Sequence, residues 1–455
     1  MLTKKLSRRS FLRLAVALTG MALAAACKPQ VKVEKETVIV EKEKVVEKVV
    51  TAPAAKGPVV VKLLMMAWIT GEVPVDNLLR QYNAEHPEVK IEVDTLAEGW
   101  EQKHLAAVRA GNPIWNTASE WNPWREGLAG IKMGLVQPMD EYIATSSIPG
   151  AANIQEDWLD LVKAQMVIEG KIYALPMDMD VTAFGLQKKY CEAVGVTDVP
   201  KTWEDITLAA KEIRKKFKSE DVFGFATGNW WVYDGPGGIF YNISKKPFTD
   251  EGILDITSEE FIYALNLCKS WQDQDISPMP FYQDTTDLWK KNKIGMTFEP
   301  GAWIIWGQKI WGKETIADPK PMPIYPGGGV AACEVMAMGL LKGAPHPREA
   351  MDALLWLWGP QNEEMQLAIC ETAKTPAYKS VYENYVKPNP DWAWMLEIRK
   401  MYDHCIPLPH IASYAIQNDA LTNWTQRFFL GEERDPKIAM ENCLKEIKDQ
   451  LAKQK

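Results

Sequence analysis

The apolar positions change period along the chain. Residues 59–68, VVVKLLMMAW, make a continuous β-branched and apolar run suited to a strand covered on both faces. Val75, Leu78, Leu79 and Tyr82 then fall at i, i+3, i+4 and i+7, a helical stripe that ends before Pro87. VKIEVDTL (89–96) returns to strand composition. Strand, helix, strand in so short a stretch predicts a parallel crossover unit, hence α/β architecture around a covered sheet.

The helical period recurs downstream. Thr202, with Asp205 three residues on, makes a capping-box-like start for a helix striped by Ile206, Ala209, Ile213 and Phe217. Ala350, Ala353, Leu354 and Leu357 do the same after Pro347, until Gly359-Pro360 stops the helix. DPKIAMENCLKEIKDQLAK predicts a last amphipathic helix through Met440, Leu444, Ile447 and Leu451. No internal repeat emerges.

The first 58 residues follow other rules. KKLSRRSFLRL carries Arg8 and Arg9 in a twin-arginine setting, and the apolar run Leu14 to Ala26 is too short for a permanent membrane span. It ends in LAAAC, which places Cys27 as in a lipobox, with Ala24 where leucine is more usual. The expectation is a signal peptide over 1–26 and lipidation at Cys27, against a plain cleaved signal beside a chance cysteine. Residues 27–58 alternate valine with Glu and Lys and lack aromatics, so they read as a spacer; a short coiled coil is the alternative.

Composition narrows the function. At 455 residues the chain is too long for one ordinary core, so two lobes are expected. Removing residues 1–26 takes away five basic and no acidic residues, which moves the net charge from −8 to −13 and argues against nucleic acid. The six later cysteines are scattered, with no CxxC pair; buried thiols and one or two disulfides both fit, and no metal or cofactor is expected.

Reaction motifs are absent: no GxSxG elbow, phosphate loop, HExxH or helix-opening GxGxxG occurs. GPGG (235–238) and PGGG (326–329) read as turns. Asp178 and Asp180 in LPMDMDV lie two apart and point to one side of an extended segment, an arrangement fit for binding hydroxyls and less so for acid–base work. The chain holds 19 tryptophans, several in polar, turn-rich stretches: IWNTASEWNPW (114–124), GNWWVYDGPGG (228–238) and FEPGAW (298–303). A flat indole stacks on the C–H face of a sugar while nearby polar groups take the hydroxyls. Each tryptophan singly is as well explained by packing, and their recurrence on predicted loops tilts the balance.

Taken together, GLVQPMDEYI (134–143), GKIYALPMDMDVTAFGLQKKYCEAVGV (170–196), PKTWEDI (200–206), IGMTFEPGAW (294–303), VMAMGLLKGAPHPREAMDALLWL (335–357) and TPAYKSV (375–381) give residues 59–455 a resemblance to family 1 extracellular solute-binding proteins of ABC sugar importers, similar in layout to maltose-binding protein. The resemblance implies a two-lobe periplasmic-binding-protein fold (type II) with a ligand cleft, the first lobe over 59–177 plus 332–374 and the second over 178–331 plus 375–455. It implies a carbohydrate ligand, ABC permease subunits as partners, a monomer, no catalysis and a place on the extracytoplasmic membrane face.

Carried across by position, Asp180 matches an acidic contact on the crossing strand and Trp303 an aromatic that stacks on sugar. Asp178 accompanies Asp180. Trp121 matches a first-lobe contact, with Trp124 a second platform or its support and Arg125 behind. Trp230 and Trp231 lie where second-lobe aromatics meet ligand; Trp68, Glu98 and Trp100 lie where the first two strands end; Tyr414 is near a C-terminal aromatic contact. Trp115, beside Ile114, is expected to be packed. The sequence departs from the family at Leu186-Gln187-Lys188-Lys189, at PGAW, one residue longer than usual, and at Cys333-Glu334, where relatives often have glycines. Two other classes compete: an exported carbohydrate hydrolase using Asp178 and Asp180, and a surface adhesion protein.

Overall fold

The structure is a computed structural model, which describes residues 33–38, 46–51, 57–97, 99–119, 127–228, 235–278, 285–323, 332–407, 410 and 414–453. The chain divides into a unit of residues 1–57 and one of residues 58–455. In the first, β1 (Val33–Val38) pairs antiparallel with β2 (Val46–Thr51), from Val33 opposite Thr51 to Val38 opposite Val46. The stretch expected as a bare spacer thus carries a two-stranded ribbon, an element that is marginal alone in water.

The second unit is built on one sheet. β3 (Val59–Met65) and β4 (Val89–Thr95) run parallel in full register, from Val59 opposite Val89 to Met65 opposite Thr95. The intervening helix Val75–Glu85 buries Val75, Leu78, Leu79 and Tyr82, the stripe seen in the sequence. β5 (Thr117–Ala118) follows; β6 (Val167–Ile168) and β7 (Lys171–Ile172) form a separate hairpin. β8 (Ala174–Leu186), β9 (Phe223–Thr227), β10 (Ile294–Pro300), β11 (Ala332–Leu340) and β12 (Ile406–Pro407) complete the sheet in the order β4-β3-β5-β11-β8-β10-β9, with β12 on β11.

β8 belongs to two ladders. Ala174 to Val181 pair with β11, and Thr182 to Leu186 pair with β10. The β11 register slips between Met336 and Ala337, leaving Met177 as an extra residue on β8 beside Asp178. Thirteen residues carry the chain from one half of the sheet to the other without a loop.

The sequence-predicted helices form where their caps allow. Thr202 Oγ1 accepts from the Asp205 N–H at 3.0 Å and opens Trp203–Phe217, which buries Ile206, Ala210, Ile213 and Phe217; Ala209 is only partly buried. Pro347 takes the first position of Pro347–Trp358, where its missing N–H costs nothing. The Asp435 carboxylate accepts from the Lys437 and Ile438 N–H groups at 2.9 and 3.4 Å and caps Pro436–Ala452.

Two expectations fail here. The run from Val59 does not stay extended to Trp68: the strand stops at Met65, and Trp68 lies in the helix Ala67–Glu72, so apolar continuity hid a change of period. GPGG is no turn either, because Gly235–Ile243 is a helix whose first four residues are buried and whose Gly235 N–H donates to Thr227 Oγ1 at 3.1 Å. PGGG lies outside the described residues. The cysteine alternatives also resolve: Cys191, Cys268, Cys333, Cys370, Cys405 and Cys443 are all free, and all but Cys405 are buried.

Candidate functional site

A cavity of about 190 Å³ opens where the helix after β3 approaches the helix after β10. Glu72 lines it from the first; Ala302, Trp303, Trp306 and Lys309 line it from Gly301–Trp311; Thr372 and Lys374 close it from a third segment. Trp303 is 41% exposed, although burying an indole is strongly favourable. Pro300 turns the chain out of β10 and Gly301 lets the new helix approach Trp394, whose ring lies 3.2 Å from where a Cβ would sit.

Behind the cavity is an ionic cluster. Lys374 hydrogen-bonds the Asp180 carboxylate, and its ammonium lies 4.0 Å from Asp178 Oδ1. It is held there because Thr375 exchanges both backbone hydrogen bonds with Met179, at 2.8 and 3.1 Å, and adds a third from its hydroxyl at 2.7 Å. Glu334 on β11 stands directly opposite Asp180 on β8, which brings a third carboxylate to the same ammonium. Burial works against charge on Lys374, but the carboxylates outweigh it and hold its pKa above the ordinary lysine value.

Asp178 is fully buried, and neither carboxylate oxygen has a hydrogen-bond partner among the described residues. Burial raises its carboxyl to about 7; Lys374 opposes the shift, while Asp180 and Glu334 add to it. An unfolded aspartate titrates near about 3.9, so the folded state holds this proton more tightly. The stabilisation is complete below the unfolded pKa and is lost as the pH rises through about 7. Asp178→Asn should therefore gain stability relative to the parent between pH 5 and pH 8, by on the order of a few kcal/mol. Urea midpoints at the two pH values measure this, and a parent–variant difference independent of pH would show that Asp178 ionises normally.

Other expected site residues are placed differently. Trp100, the first residue of Trp100–Arg109, is 4% exposed, and Tyr414, which opens Tyr414–Phe429, is 3% exposed; both belong to the hydrophobic core. Trp115, by contrast, is packed as expected, buried at 5% with its indole N–H donating to Asp94 Oδ2 at 2.7 Å. Trp121, Trp124, Arg125, Trp230, Trp231, Glu98 and Cys27 lie outside the described residues, as does the side chain of Trp68.

Sequence reasoning singled out neither Lys374 nor Trp306. Lys374 stands one residue before TPAYKSV and 194 residues from Asp180, a pairing that no local pattern announces. Trp306 follows Trp303 by one helical turn, and that spacing was there to be read.

One strand shared between two ladders, with a pocket lined from three chain segments, defines the α/β two-lobe fold of periplasmic binding proteins. Solved structures agree. A maltose-bound T. maritima protein aligns over 86% of this chain and 100% of its own, with TM-score 0.71 at 16% identity. A Thermotoga lettingae solute-binding protein bound with α-D-tagatose covers 87% and 100%, with TM-score 0.70 at 16% identity. A Listeria monocytogenes ABC substrate-binding protein in complex with cycloalternan covers 87% and 99%, with TM-score 0.71 at 16% identity. In sequence, a Brucella abortus protein described as a binding protein is 20% identical over 175 residues, which are 36% of this chain and only 40% of that relative. The description of bacterial extracellular solute-binding proteins matches residues 68–364, well over half of the chain. The chain belongs to that family.

Proposed function

We propose that this chain captures a carbohydrate, with an oligosaccharide favoured by its aromatics, and delivers it to the permease of an ABC importer. The observation that carries the reading is Trp303, an indole left 41% exposed over a cavity that Lys374 also lines, with Asp180 bonded to that lysine. An aromatic platform beside groups that bind hydroxyls suits a sugar ring. Solved relatives of this fold carry maltose, tagatose and cycloalternan.

The proposal extends to the parts around the pocket. Residues 59–177 plus 332–374 would form one lobe and 178–331 plus 375–455 the other, closing on ligand because only the closed state offers both sets of contacts. Trp121, Trp124, Arg125, Trp230, Trp231, Glu98 and Trp68 would complete the contact set. The twin-arginine leader and Cys27 support export with a lipid anchor, and residues 27–58 would space the domain from the membrane. No described helix is long and apolar enough to cross a membrane. The hydrolase reading is weaker, because Asp178 and Asp180 share one ammonium where hydrolysis would need them free to flank a glycosidic bond.

A sugar panel tests the proposal through tryptophan fluorescence and melting temperature. A bound sugar at a hundred times its Kd should stabilise the fold by about 2.7 kcal/mol. Trp303→Ala should weaken binding roughly 30-fold with little loss of fold, as expected for a hot spot of about 2 kcal/mol on an exposed side chain. Release of shorter sugars on incubation would instead identify a hydrolase, and a panel without spectral or thermal response would reject carbohydrate as the ligand class.

A further inference from the structure

A second cavity opens among other elements. It encloses about 820 Å³, more than four times the volume over Trp303, and the two share no lining residue. That size is in the range of small-molecule sites. Hydrogen bonds tie its walls to one another. The Leu159 N–H donates to the Ala377 carbonyl at 3.2 Å, and the Asp157 carboxylate accepts from the Ser380 N–H and hydroxyl at 2.8 and 2.5 Å. Leu159 and Leu161, at the start of the helix Asp160–Met166, and Leu396, on the helix Ala393–Arg399, give the cavity an apolar wall.

Four cations and three carboxylates line the same space, a net of one positive charge. Three of the cations are engaged. Lys387 pairs with Glu383 at 3.0 Å, Lys400 pairs with Glu397 at 2.7 Å, and Lys379 donates to the Glu156 carbonyl at 3.3 Å. Arg399 is the fourth. Among the described residues its guanidinium has neither a hydrogen bond nor an ion pair; it lies over the Tyr382 ring, with Cζ 4.9 Å from the centroid. Tyr382 is itself fixed, fully buried with its hydroxyl 3.0 Å from that of Tyr402. A planar fork of five N–H donors is thus stacked on an immobile ring at the cavity wall, its donors unused among the described residues.

We propose that this cavity is a second ligand site, which takes a small organic monocarboxylate with an apolar body and holds its carboxylate on the Arg399 fork. A guanidinium matches a carboxylate with two parallel N–H···O bonds, a geometry that no lysine reproduces. The apolar body lies against Leu159, Leu161 and Leu396. Asp160, Glu383 and Asp403 limit the charge of the ligand. One negative charge neutralises the lining, whereas a phosphate dianion or a second carboxylate meets those three side chains as like charges. The inference is independent of the carbohydrate reading and holds whatever the cavity over Trp303 binds.

The experiment titrates hexanoate, benzoate, acetate, succinate, inorganic phosphate and hexanol into the full chain and into Arg399→Met, Arg399→Lys and Lys400→Met, by calorimetry with melting curves as the fold control. Hexanoate or benzoate should bind the parent with a Kd below about 1 mM, and at least about tenfold more tightly than the other four. Arg399→Met should weaken that binding by about tenfold or more. Arg399→Lys, which keeps the charge and loses the fork, should fall between, and Lys400→Met should bind like the parent. The bound carboxylate should also slow alkylation of Cys405, which lines the cavity and is the one described cysteine that is not buried, as read by peptide mapping. The inference is overturned if neither hexanoate nor benzoate binds, if hexanol or phosphate binds as tightly, or if alkylation of Cys405 ignores the ligand. It is equally overturned if Arg399→Met binds like the parent or Lys400→Met weakens binding as much. Should Arg399→Met melt lower than the parent, Arg399→Lys decides, and parent-like affinity there rejects the fork.

Discussion

Lys374→Met should destabilise the folded chain by about 3–5 kcal/mol at pH 8, the range found when one partner of a buried ion pair is removed and the other is left uncompensated. The substitution keeps the length of the stem to Cε, with a thioether sulfur for the Cδ methylene, and removes the ammonium. Asp178, fully buried and without a hydrogen bond, then has no opposite charge within reach among the described residues, and Asp180 loses the hydrogen bond it accepts. The cost should shrink at pH 5, where the Asp178 carboxyl, already raised to about 7, is protonated in the fold. Asp178→Asn combined with Lys374→Met should recover part of the loss, because the two changes share one network and are not additive. Urea denaturation with unchanged slope reads all three quantities. A single variant within about 0.5 kcal/mol of the parent would show that solvent reaches the cluster freely.

Gly224→Ala should be at least as damaging, at about 4 kcal/mol or more, with loss of soluble folded protein the expected readout. Gly224 lies on β9 where the helix Trp203–Phe217 crosses it, and a Cβ there would sit 1.8 Å from the Ala210 carbonyl oxygen. That atom is backbone, so relief requires the helix to move off the sheet. Gly295 on β10 is an internal comparison: its Cβ would meet the Ile213 side chain at 2.9 Å, which can yield, and the Gly224 carbonyl oxygen at 3.1 Å, a far milder backbone approach than the 1.8 Å at Gly224. Gly295→Ala should therefore cost clearly less, about 1–3 kcal/mol. Equal melting temperatures for Gly224→Ala and the parent would mean that the helix is free to shift.

What could be read from the sequence depended on whether a signal was local. The β3–helix–β4 unit was legible because strand-like runs flank the helical stripe of Val75, Leu78, Leu79 and Tyr82, and Trp203–Phe217 because Thr202 caps it through its own side chain. The end of β3 was not legible: Met65, Met66 and Ala67 are all apolar, and no Gly or Pro marks the change from strand to helix. GPGG misled because glycine and proline mark turns more often than they open helices, and here Thr227, from the preceding strand, receives the first N–H.

The site divides in the same way. Asp178 and Asp180 could be placed on one side of an extended strand from their spacing alone. That Lys374 stands between them could not be seen, because the hydrogen bonds of Thr375 to Met179 bring the two segments together across nearly two hundred residues. For Trp100 and Tyr414, position along a strand or helix gave no measure of burial, and both lie in the core.

The six free cysteines bear on the redox conditions under which this fold can exist. Among the described residues none is joined to another, so the folded state owes nothing to an oxidant, and a reducing medium removes no bond from it. Burial pushes the thiols of Cys191 and Cys370 up to about 12, which leaves almost no thiolate to attack an external disulfide. Exchange with small disulfides must therefore wait until a segment opens, and the chemistry of these sulfurs is governed by the dynamics of the packing around them. For the five buried thiols among the described residues, the redox poise of the surroundings acts through the fluctuations of the fold.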